Sequence, residues 1–371
     1  MKILQIIYNL APGGAERFVV DLCNELAAKN NNEVHLLTTN DDAIRGNKHY
    51  HDLLSEKVAY HNIGAKSGFS LKSIIGVYKA INRIKPDIVH LHSNLVLFFL
   101  PAFLCKKTKL IHTLHNVAEK TVTIKQLKPI YKQLYKKRIT PVTISNVCNE
   151  SYKKYYGLDN SICINNGRTP VSVTTSYNEV EKEVRGYLKR SDMPVYIHIA
   201  RYAEQKNQKL LFDTFERLHN ESKKFLLLVL GAGFENSPFM HLNKTDYIKI
   251  LGAKQNVADY LACANYFVLS SSWEGLPISL LEAMSIGCIP ISTPAGGVVD
   301  VIKDGENGYM SPSFDSEDFY KTVCRSFNDT ESIDKEAVIK DYKDNYTIEV
   351  CASKYYNAYL NHIDKYFTIV K

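Results

Sequence analysis

The chain has 371 residues, more than one hydrophobic core usually supports, so two domains are expected. Hydrophobic residues at 45% and charged residues at 23% are typical of a globular protein, and no apolar run reaches the roughly 20 residues that span a bilayer. The net charge is +7, and the eight cysteines form no C-x-x-C pair, which argues against disulfides and cysteine metal sites and favours reduced thiols in the cytoplasm.

The first half of the chain alternates apolar runs with amphipathic segments. The N-terminus, M-K-I-L-Q-I-I-Y-N-L, lacks a cleavage site and is predicted to be a strand and not a leader. The most apolar stretch, 95–104, is too short to cross a membrane and contains Pro101. Strands are predicted at 2–8, 34–38, 88–92, 110–114, 141–145 and 161–164, with helices at 15–29, 71–84 and 127–138.

The second half repeats this alternation, which predicts an α/β fold with parallel sheets in both halves. Its predicted strands are 195–199, 224–230, 247–251, 266–269 and 289–292, with helices at 208–219, 257–263, 278–286 and 298–302. Residues 168–193 are polar and poor in buried types, so we place the domain boundary there. The expected segments are 1–170, 171–345 and 346–371, and the chain is expected to be Tyr-rich and helical after Ile339.

Residues 101–140 form a basic segment with ten basic side chains and one acid, Glu119. The predicted helix 127–138 is basic and amphipathic, a pattern typical of a protein that touches an anionic membrane surface. Nucleic acid is a competing partner, but no nucleic-acid motif accompanies the charge, so we expect none. A solvated helix face is the third interpretation. The basic residues are Lys106, Lys107, Lys109, Lys120, Lys125, Lys128, Lys132, Lys136, Lys137 and Arg138.

The stretch W-E-G-L-P-I-S-L-L-E-A-M-S-I-G-C-I-P-I-S-T-P, residues 273–294, contains two carboxylates, Glu274 and Glu282. It follows the predicted strand 266–269, and Pro277 suits the first turn of the next helix. Unpaired N–H groups at that helix start form a site for a phosphate. A carboxylate beside a phosphate would be repelled, so each Glu is predicted to bind hydroxyls of a ribose or a sugar. A phosphate site and hydroxyl-binding carboxylates at one helix end predict a site for a nucleotide-sugar.

Other candidate groups follow other strands, and ligands of open α/β sheets bind beyond the carboxyl ends of the strands. Gly13 and Gly14, after the first strand, allow backbone N–H groups to approach a phosphate or a sugar. Arg201 and Lys206, after strand 195–199, suit a diphosphate, because Arg offers a fork and Lys a point charge.

Four histidines follow or lie in two neighbouring predicted strands: His90 and His92 in H-L-H, and His112 and His115 in H-T-L-H-N. No carboxylate or cysteine falls among them at ligand spacing, so we predict no metal site. His90 and His112 are predicted to be buried structural residues.

The E-x7-E spacing, with the flanking S-x-x-E-G-L-P and the later P-A-G-G, resembles the signature of retaining glycosyltransferases of family 4. The segments P-G-G-A-E-R and A-R-Y-A-E-Q-K-N also resemble segments of that family, although Ala200 and Asn207 replace its usual glycines. The resemblance implies the GT-B fold: two Rossmann-like doubly wound domains that face an interdomain cleft. The N-terminal domain would bind the acceptor, the C-terminal domain the nucleotide-sugar, and the last helix would return to the first domain.

The same resemblance implies roles for individual residues and for the reaction. The catalytic residues would be Glu274, His115, Arg201 and Lys206. The donor would be a UDP-sugar that needs no metal or other cofactor, and the acceptor a hydroxyl of a lipid-linked saccharide or a polysaccharide repeat. Retention would proceed by departure and attack on one face of the sugar. Donor contacts would come from Gly13, Gly14, Ala253, Gly275, Leu276, Pro277, Ser279, Leu280 and Glu282.

Two other functions stay open at this point. One is a non-catalytic partner subunit that binds a nucleotide-sugar, and the other is an epimerase of the same fold. The complete set of Glu274, Glu282, Arg201 and Lys206 favours a transferase over the first, and the arrangement G-L-P-x-S-L-L-E favours it over the second. A transferase of this kind would be cytoplasmic, at the inner face of the cell membrane if the basic segment binds lipid.

Overall fold

The structure is a computed structural model that describes residues 1–29, 31–66, 70–92, 108–121, 125–328 and 333–367, with side chains except at 125 and 362–367. The chain divides into two compact units, Met1–Arg168 with Thr347–Lys371, and Thr169–Tyr346. Among the described helices, none is both long and apolar enough to cross a bilayer. The apolar stretch 95–104 and the basic residues Lys106 and Lys107 lie outside the described residues.

The first unit is built on a seven-stranded parallel sheet in the order β3-β2-β1-β4-β5-β6-β7. Its central strands are almost wholly buried, which is why they appear in the sequence as continuous apolar runs. The strands are β1 (Lys2–Ile7), β2 (Glu33–Asn40), β3 (Val58–Ala65), β4 (Ile88–His92), β5 (Lys109–Leu114), β6 (Ile139–Thr143) and β7 (Ile162–Cys163).

Helices cover this sheet, and their apolar stripes form the core of the unit. On α4, for example, Tyr131 and Tyr135 are buried together with Tyr152 and Tyr156 of α5. The sequence prediction missed β3, whose pattern mixes polar and apolar residues at the sheet edge, and it also missed α5. The helices are α1 (Gly14–Ala28), α2 (Leu71–Ile84), α3 (Ala118–Thr121), α4 (Lys128–Lys137) and α5 (Asn146–Tyr156).

The second unit contains a six-stranded parallel sheet in the order β10-β9-β8-β11-β12-β13. The strands β8, β9 and β11 are runs of aliphatic and aromatic residues that the helices bury on both faces. The short edge strand β13 was not predicted. The strands are β8 (Val195–Ile199), β9 (Leu226–Leu230), β10 (Ile248–Gly252), β11 (Tyr266–Leu269), β12 (Ile289–Ser292) and β13 (Tyr309–Met310).

Four helices of the second unit match predicted segments, a fifth overlaps the stretch after Ile339 that was expected to be helical, and two were missed. One of the missed helices, α6, lies inside the polar stretch 168–193. It was missed because its fully buried residues are only Val180 and Val184, so its sequence is mostly polar. The helices are α6 (Tyr177–Tyr187), α7 (Gln208–Asn220), α8 (Val257–Ala262), α9 (Ile278–Ser285), α10 (Val298–Val301), α11 (Ser316–Arg325) and α12 (Lys335–Asn345).

The last helix, α13 (Ile348–Phe367), belongs to the first unit and packs on α1. Its Tyr355 and Tyr359 are fully buried. Just before the chain leaves this unit, Arg168 makes a buried ion pair with Asp21 of α1, with 2.6 Å between Nη1 and Oδ2. The backbone N–H of Ile348 donates to the carbonyl of Arg168, so the two ends of the unit meet at this point.

Each sheet has one place where the strand order reverses direction. In the first sheet it lies between β1 and β4, and in the second between β8 and β11. At such a place the connections leave on opposite faces of the sheet and open a crevice at the carboxyl ends of the strands. The loop after β1 starts the segment with Gly13 and Gly14, and the loops after β8 and β11 carry Lys206 and Glu274.

Candidate functional site

The loop after β8 carries the two predicted phosphate-binding cations. Arg201 is exposed, and a 3₁₀ turn, Glu204–Lys206, follows it. Asn207 closes this turn with φ +44° and leads into α7. The side chain of Gln208 holds the loop, because its Nε2 donates to the carbonyl oxygen of Arg201 over 2.9 Å. The loop is therefore held by the first residue of the helix that follows it.

Lys206 and Glu274 are brought together by the structure, although 68 positions separate them. The distance between Lys206 Nζ and Glu274 Oε1 is 2.6 Å, and the side chains are only 15% and 6% exposed. Gln205 joins the same contact, since its Nε2 donates to Glu274 Oε2 over 3.2 Å and to the carbonyl of Trp273 over 2.9 Å. The loops after β8 and β11 thus meet through a shielded ion pair.

Two glycines with positive φ allow these loops to pack. Gly296, at φ +58°, lies against the backbone of Glu274, where an added Cβ would overlap the carbonyl oxygen and stand 2.7 Å from its carbon. Gly231, at φ +146°, lies in the same way against the carbonyl of Ala200, next to Arg201. The immediate neighbour of Gly296 is thus the protein's own backbone.

The helix after β11 begins as the E-x7-E motif predicted, with one shift in register. Pro277 is the N-cap of α9, with φ −69° and ψ 125°, and so lies one position before the first turn where it was expected. No side chain caps this end, although the N–H of Leu280 donates to the carbonyl of Pro277 over 3.2 Å. The start of a helix is a position that favours an anion. Gly275, Leu276 and Pro277 are buried.

The other predicted donor contacts on this helix, Ser279, Leu280 and Glu282, occupy its first two turns. Leu280 is fully buried, and Ser279 and Glu282 are half-buried. After β10, Gly252 takes φ +69° and Ala253 is exposed. The ammonium of the next residue, Lys254, lies 5.5 Å from the centroid of the Tyr260 ring.

In the first unit, α1 starts at Gly14, with Gly13 as an N-cap in extended conformation. The carboxylate of Glu16 folds back over Gly13, where an added Cβ would stand 3.0 Å from Cδ. A carboxylate at this position repels a phosphate, so the glycine turn is better suited to sugar hydroxyls than to a diphosphate.

His115 lies at the end of β5, where its Nε2 is 3.0 Å from His92 Nδ1 and its ring packs edge-on against Phe18. The Nδ1 atom of His115 is buried without a hydrogen-bond partner among the described residues. Burial, with a contribution from His112, lowers the pKa of His115 to about 3, so this imidazole is neutral at physiological pH. His90 and His112 are buried within β4 and β5.

The basic segment is described from residue 108 on, apart from 122–124 and the side chain of Lys125. Its helix α4 buries Tyr131 and Tyr135 and exposes Ile130, Lys136 and Lys137. An exposed apolar side chain on the same helix as exposed lysines agrees with both a membrane-facing helix and a solvated one, so the membrane contact stays a prediction. Among the described side chains, no three of His, Cys, Asp or Glu are grouped so as to hold a metal ion.

Two family models match consecutive parts of the sequence. "Glycosyltransferase Family 4" matches residues 12–169, and "Glycosyl transferases group 1" matches residues 179–344. Together they span most of the chain. The protein belongs to the family 4, group 1 glycosyltransferases. The predicted family membership is confirmed, and so is the assignment as a glycosyltransferase enzyme.

Similar proteins agree with this membership. The chain is 25% identical to UDP-Gal:alpha-D-GlcNAc-diphosphoundecaprenol alpha-1,3-galactosyltransferase of Escherichia coli, over 70% of this chain and 71% of that protein. It is 24% identical to N-acetyl-alpha-D-glucosaminyl L-malate synthase of Bacillus anthracis, over 80% of each.

Solved structures share the fold at low sequence identity. A glycosyltransferase from Rickettsia africae superposes with a TM-score of 0.79 at 18% identity, over 96% of this chain and 97% of that one. Anabaena Alr3699/HepE, solved in complex with UDP-glucose, gives a TM-score of 0.75 at 16% identity, over 96% and 99%. The predicted two-domain α/β GT-B fold is therefore confirmed.

Several residues that support the candidate site of this glycosyltransferase were missed by the sequence analysis. Gln205 and Gln208 hold the loop after β8, and Thr293 Oγ1 donates to the carbonyl of Ser271 over 2.7 Å. Only Gln205 had a sequence signal, because it directly precedes a predicted site residue. Gln208 and Thr293 bind backbone carbonyls of other residues, and no short motif encodes such contacts.

A buried histidine below the Arg201 loop gives the second unit a specific sensitivity to acid. His198 in β8 is fully buried, and its Nδ1–H donates to the carbonyl of Val268 over 2.8 Å. Burial lowers its pKa to about 4, the Val268 bond partly opposes this, and Lys206 adds to it. The unfolded state binds the proton with a pKa of about 6.5, so stability falls as the pH drops below that value.

We therefore expect the free energy of unfolding of this unit to fall by about 2 kcal/mol between pH 7 and pH 5 through His198 alone. Urea titrations followed by the fluorescence of Trp273, the only tryptophan, report on this unit. His198→Asn keeps a donor for Val268 but cannot titrate, and should lose about 2 kcal/mol less over the same range. Equal losses in both proteins would show that His198 is not the group responsible.

Proposed function

We propose that this protein is a retaining glycosyltransferase that moves a sugar from a UDP-sugar to a hydroxyl of a lipid-linked saccharide or a polysaccharide repeat. The second unit would bind the donor and the first unit the acceptor. The observation that carries the proposal is the Lys206–Glu274 pair, which joins the loops on the two sides of the strand-order reversal. A cation for phosphate and a carboxylate for hydroxyls meet where such sheets bind ligands.

The charges around this pair suit a departing nucleoside diphosphate. Arg201 on the same loop and the N-terminus of α9, which no side chain caps, supply further positive charge. Groups fixed in the protein stabilise developing charge without reorganisation, which makes them effective in a transition state. The proposal therefore includes no divalent metal or other cofactor, because these groups are assigned the task of balancing the diphosphate.

The carboxylates divide the hydroxyls of the donor between them. Glu282, half-buried on α9, would hold the ribose, and Glu274 the hydroxyls of the transferred sugar, once a donor competes for its bond to Lys206. Ala253, exposed after β10, would contact the nucleobase. His115, a neutral acceptor in the first unit, would accept a hydrogen bond from a sugar hydroxyl.

Two relatives support the proposed donor and acceptor classes. The Escherichia coli relative uses UDP-Gal by its name, and the Anabaena structure contains UDP-glucose. The first relative also acts on a saccharide linked to diphosphoundecaprenol. These names support a UDP-sugar donor and a lipid-linked acceptor for this chain.

We expect UDP and UDP-sugars to raise the melting temperature of the protein more than GDP-, ADP- and CDP-sugars at equal concentration. A ligand that binds only the folded state at 100 times its Kd adds about 2.7 kcal/mol of stability. Lys206→Ala should lose most of the shift, and Lys209→Ala, which removes an exposed lysine three residues away, should keep it. A larger shift with GDP or ADP would overturn the UDP assignment.

The reaction itself is tested with the preferred donor and a saccharide on a lipid diphosphate. Release of UDP that depends on the acceptor distinguishes a transferase from a binding subunit and from an epimerase. The proton coupling at the new anomeric centre reports the stereochemistry, and a product with the opposite configuration to the donor would contradict retention.

A further inference from the structure

A chain of hydrogen bonds runs through the interior of the first unit and ends at His115. His115 Nε2 is 3.0 Å from His92 Nδ1, and His92 Nε2 is 2.8 Å from Gln5 Oε1. His92 and Gln5 are fully buried in β4 and β1, the strands on either side of the order reversal. Of these three hydrogen-bonded side chains, His115 is the one that is partly exposed.

The other end of this chain lies on the last helix. Gln5 Nε2 donates to the hydroxyl of Tyr359 over 3.1 Å, and that hydroxyl is 2.7 Å from His90 Nδ1. His90 Nε2 is 2.7 Å from Thr113 Oγ1, which is 2.9 Å from the hydroxyl of Tyr355. All of these groups are fully buried, so no water competes with the bonds that join them.

The direction of each bond follows from the orientation of Gln5. Its Oε1 only accepts, so His92 Nε2 carries the hydrogen. Burial holds the pKa of His92 well below its usual range, so the ring is neutral and its Nδ1 is a lone pair. His115 must then donate from Nε2, which leaves a lone pair on its Nδ1.

The reverse direction would leave a buried N–H without a partner at His115 Nδ1 instead of a lone pair. No described residue accepts a hydrogen bond there. An orphaned N–H inside a protein is rarer than an orphaned acceptor, so the observed orientation is the more stable one. The network thus selects one of the two neutral forms of His115.

We infer that Gln5, His92 and Tyr359 are positioning residues that hold His115 in its Nε2–H tautomer and present its Nδ1 lone pair to a substrate hydroxyl. This inference rests on the role of His115 in the proposed function. The wrong tautomer would place an N–H where an acceptor is needed. A histidine's partner on one nitrogen sets what its other nitrogen can do.

The tautomer can be measured directly by NMR on the full-length protein with ¹⁵N-labelled histidine, because the two ring nitrogens differ in shift according to which one carries hydrogen. We expect His115 to be protonated only at Nε2, and His115→Gln identifies its signals. Tyr359→Phe removes one hydroxyl, frees the amide of Gln5 to turn over and should produce both tautomers. Gln5→Leu is a second route to the same result.

Tyr135→Phe is the matched control. Tyr135 is also fully buried, and its hydroxyl also lies 2.7 Å from a histidine Nδ1, that of His112, but it takes no part in the chain that reaches His115. This variant should keep the Nε2–H form of His115. If Tyr359→Phe and Gln5→Leu also keep it alone, or if the wild-type protein shows the Nδ1–H form, the inference is wrong.

Kinetics separate this inference from the proposed function. Tyr359→Phe should reduce kcat about 10- to 100-fold with the donor KM unchanged, the scale known for loss of a partner that orients a metal-ligating histidine. Tyr135→Phe should leave kcat unchanged. A His115→Ala variant with a normal rate would overturn the role of His115 in the reaction, whatever its tautomer. An altered tautomer at an unchanged rate would overturn the positioning role alone.

Discussion

Arg201→Ala and Lys206→Ala are each expected to slow glycosyl transfer by about 30- to 1,000-fold at saturating donor. This corresponds to a loss of ~2–4 kcal/mol of transition-state stabilisation, the scale for removal of one preorganised electrostatic group. Both cations lie on the loop after β8, and the leaving diphosphate would otherwise carry uncompensated charge. Steady-state rates with the donor identified by the melting-temperature screen provide the measurement.

The two variants should differ in stability, because only Lys206 is shielded and paired. Loss of the Lys206 side chain leaves the carboxylate of Glu274 buried with only Gln205 as a side-chain partner among the described residues, at a cost of about 1–3 kcal/mol. Arg201 is exposed, so its removal should change the free energy of unfolding by less than about 0.5 kcal/mol. Urea unfolding followed by Trp273 fluorescence reads both effects in the second unit.

Lys209→Ala controls for the loss of one positive charge near the site. Its side chain is 73% exposed and, among the described residues, pairs only with Asp213 on the same helix, so activity and stability should stay close to wild type. If Arg201→Ala and Lys206→Ala retain normal rates at saturating donor, these cations do not stabilise the diphosphate. Similar slow rates in all three variants would indicate a general effect of charge and not a specific site.

The sequence predicted most of the two sheets because buried parallel strands leave a simple trace in it. Strands such as β8, β11 and β12 are short, mostly apolar runs, and their predicted bounds match the structure. Two edge strands leave a weaker trace and were missed, because β3 has polar residues at several positions and β13 has only two residues. The edge strands β7 and β10 were predicted, so a position at the sheet edge does not by itself hide a strand.

The sequence predicted the motifs of the candidate site but not the contacts between their side chains. Glycine turns, paired carboxylates and loop cations have recognisable spacing, so Arg201, Lys206 and Glu274 could be singled out. The contact between Lys206 and Glu274 could not be predicted, because it depends on how two loops pack across the sheet. The bond from Gln5 to Tyr359 spans 354 positions and depends on the packing of α13, which no local pattern encodes.

Gly296→Ala is expected to abolish donor binding at concentrations that saturate the wild-type protein. The new Cβ would overlap the carbonyl oxygen of Glu274 and stand 3.1 Å from its backbone nitrogen, so the loop after β11 has to move. That movement displaces the carboxylate from Lys206 and the start of α9 from its place. Calorimetric titration with the preferred UDP-sugar measures the loss.

Stability should fall as well, by about 1–3 kcal/mol for the steric overlap and by about 1 kcal/mol for an alanine at φ +58°. Gly305→Ala separates the two terms. Gly305 also has a positive φ, +78°, but the nearest neighbour of an added Cβ is Arg325 Nη2 at 3.8 Å. Only the conformational cost of alanine therefore applies there. If Gly296→Ala binds the donor normally and is no less stable than Gly305→Ala, the tight contact with Glu274 does not shape the site. A larger loss in Gly296→Ala, with Gly305→Ala still binding the donor, would show that this contact holds Glu274 where the donor needs it.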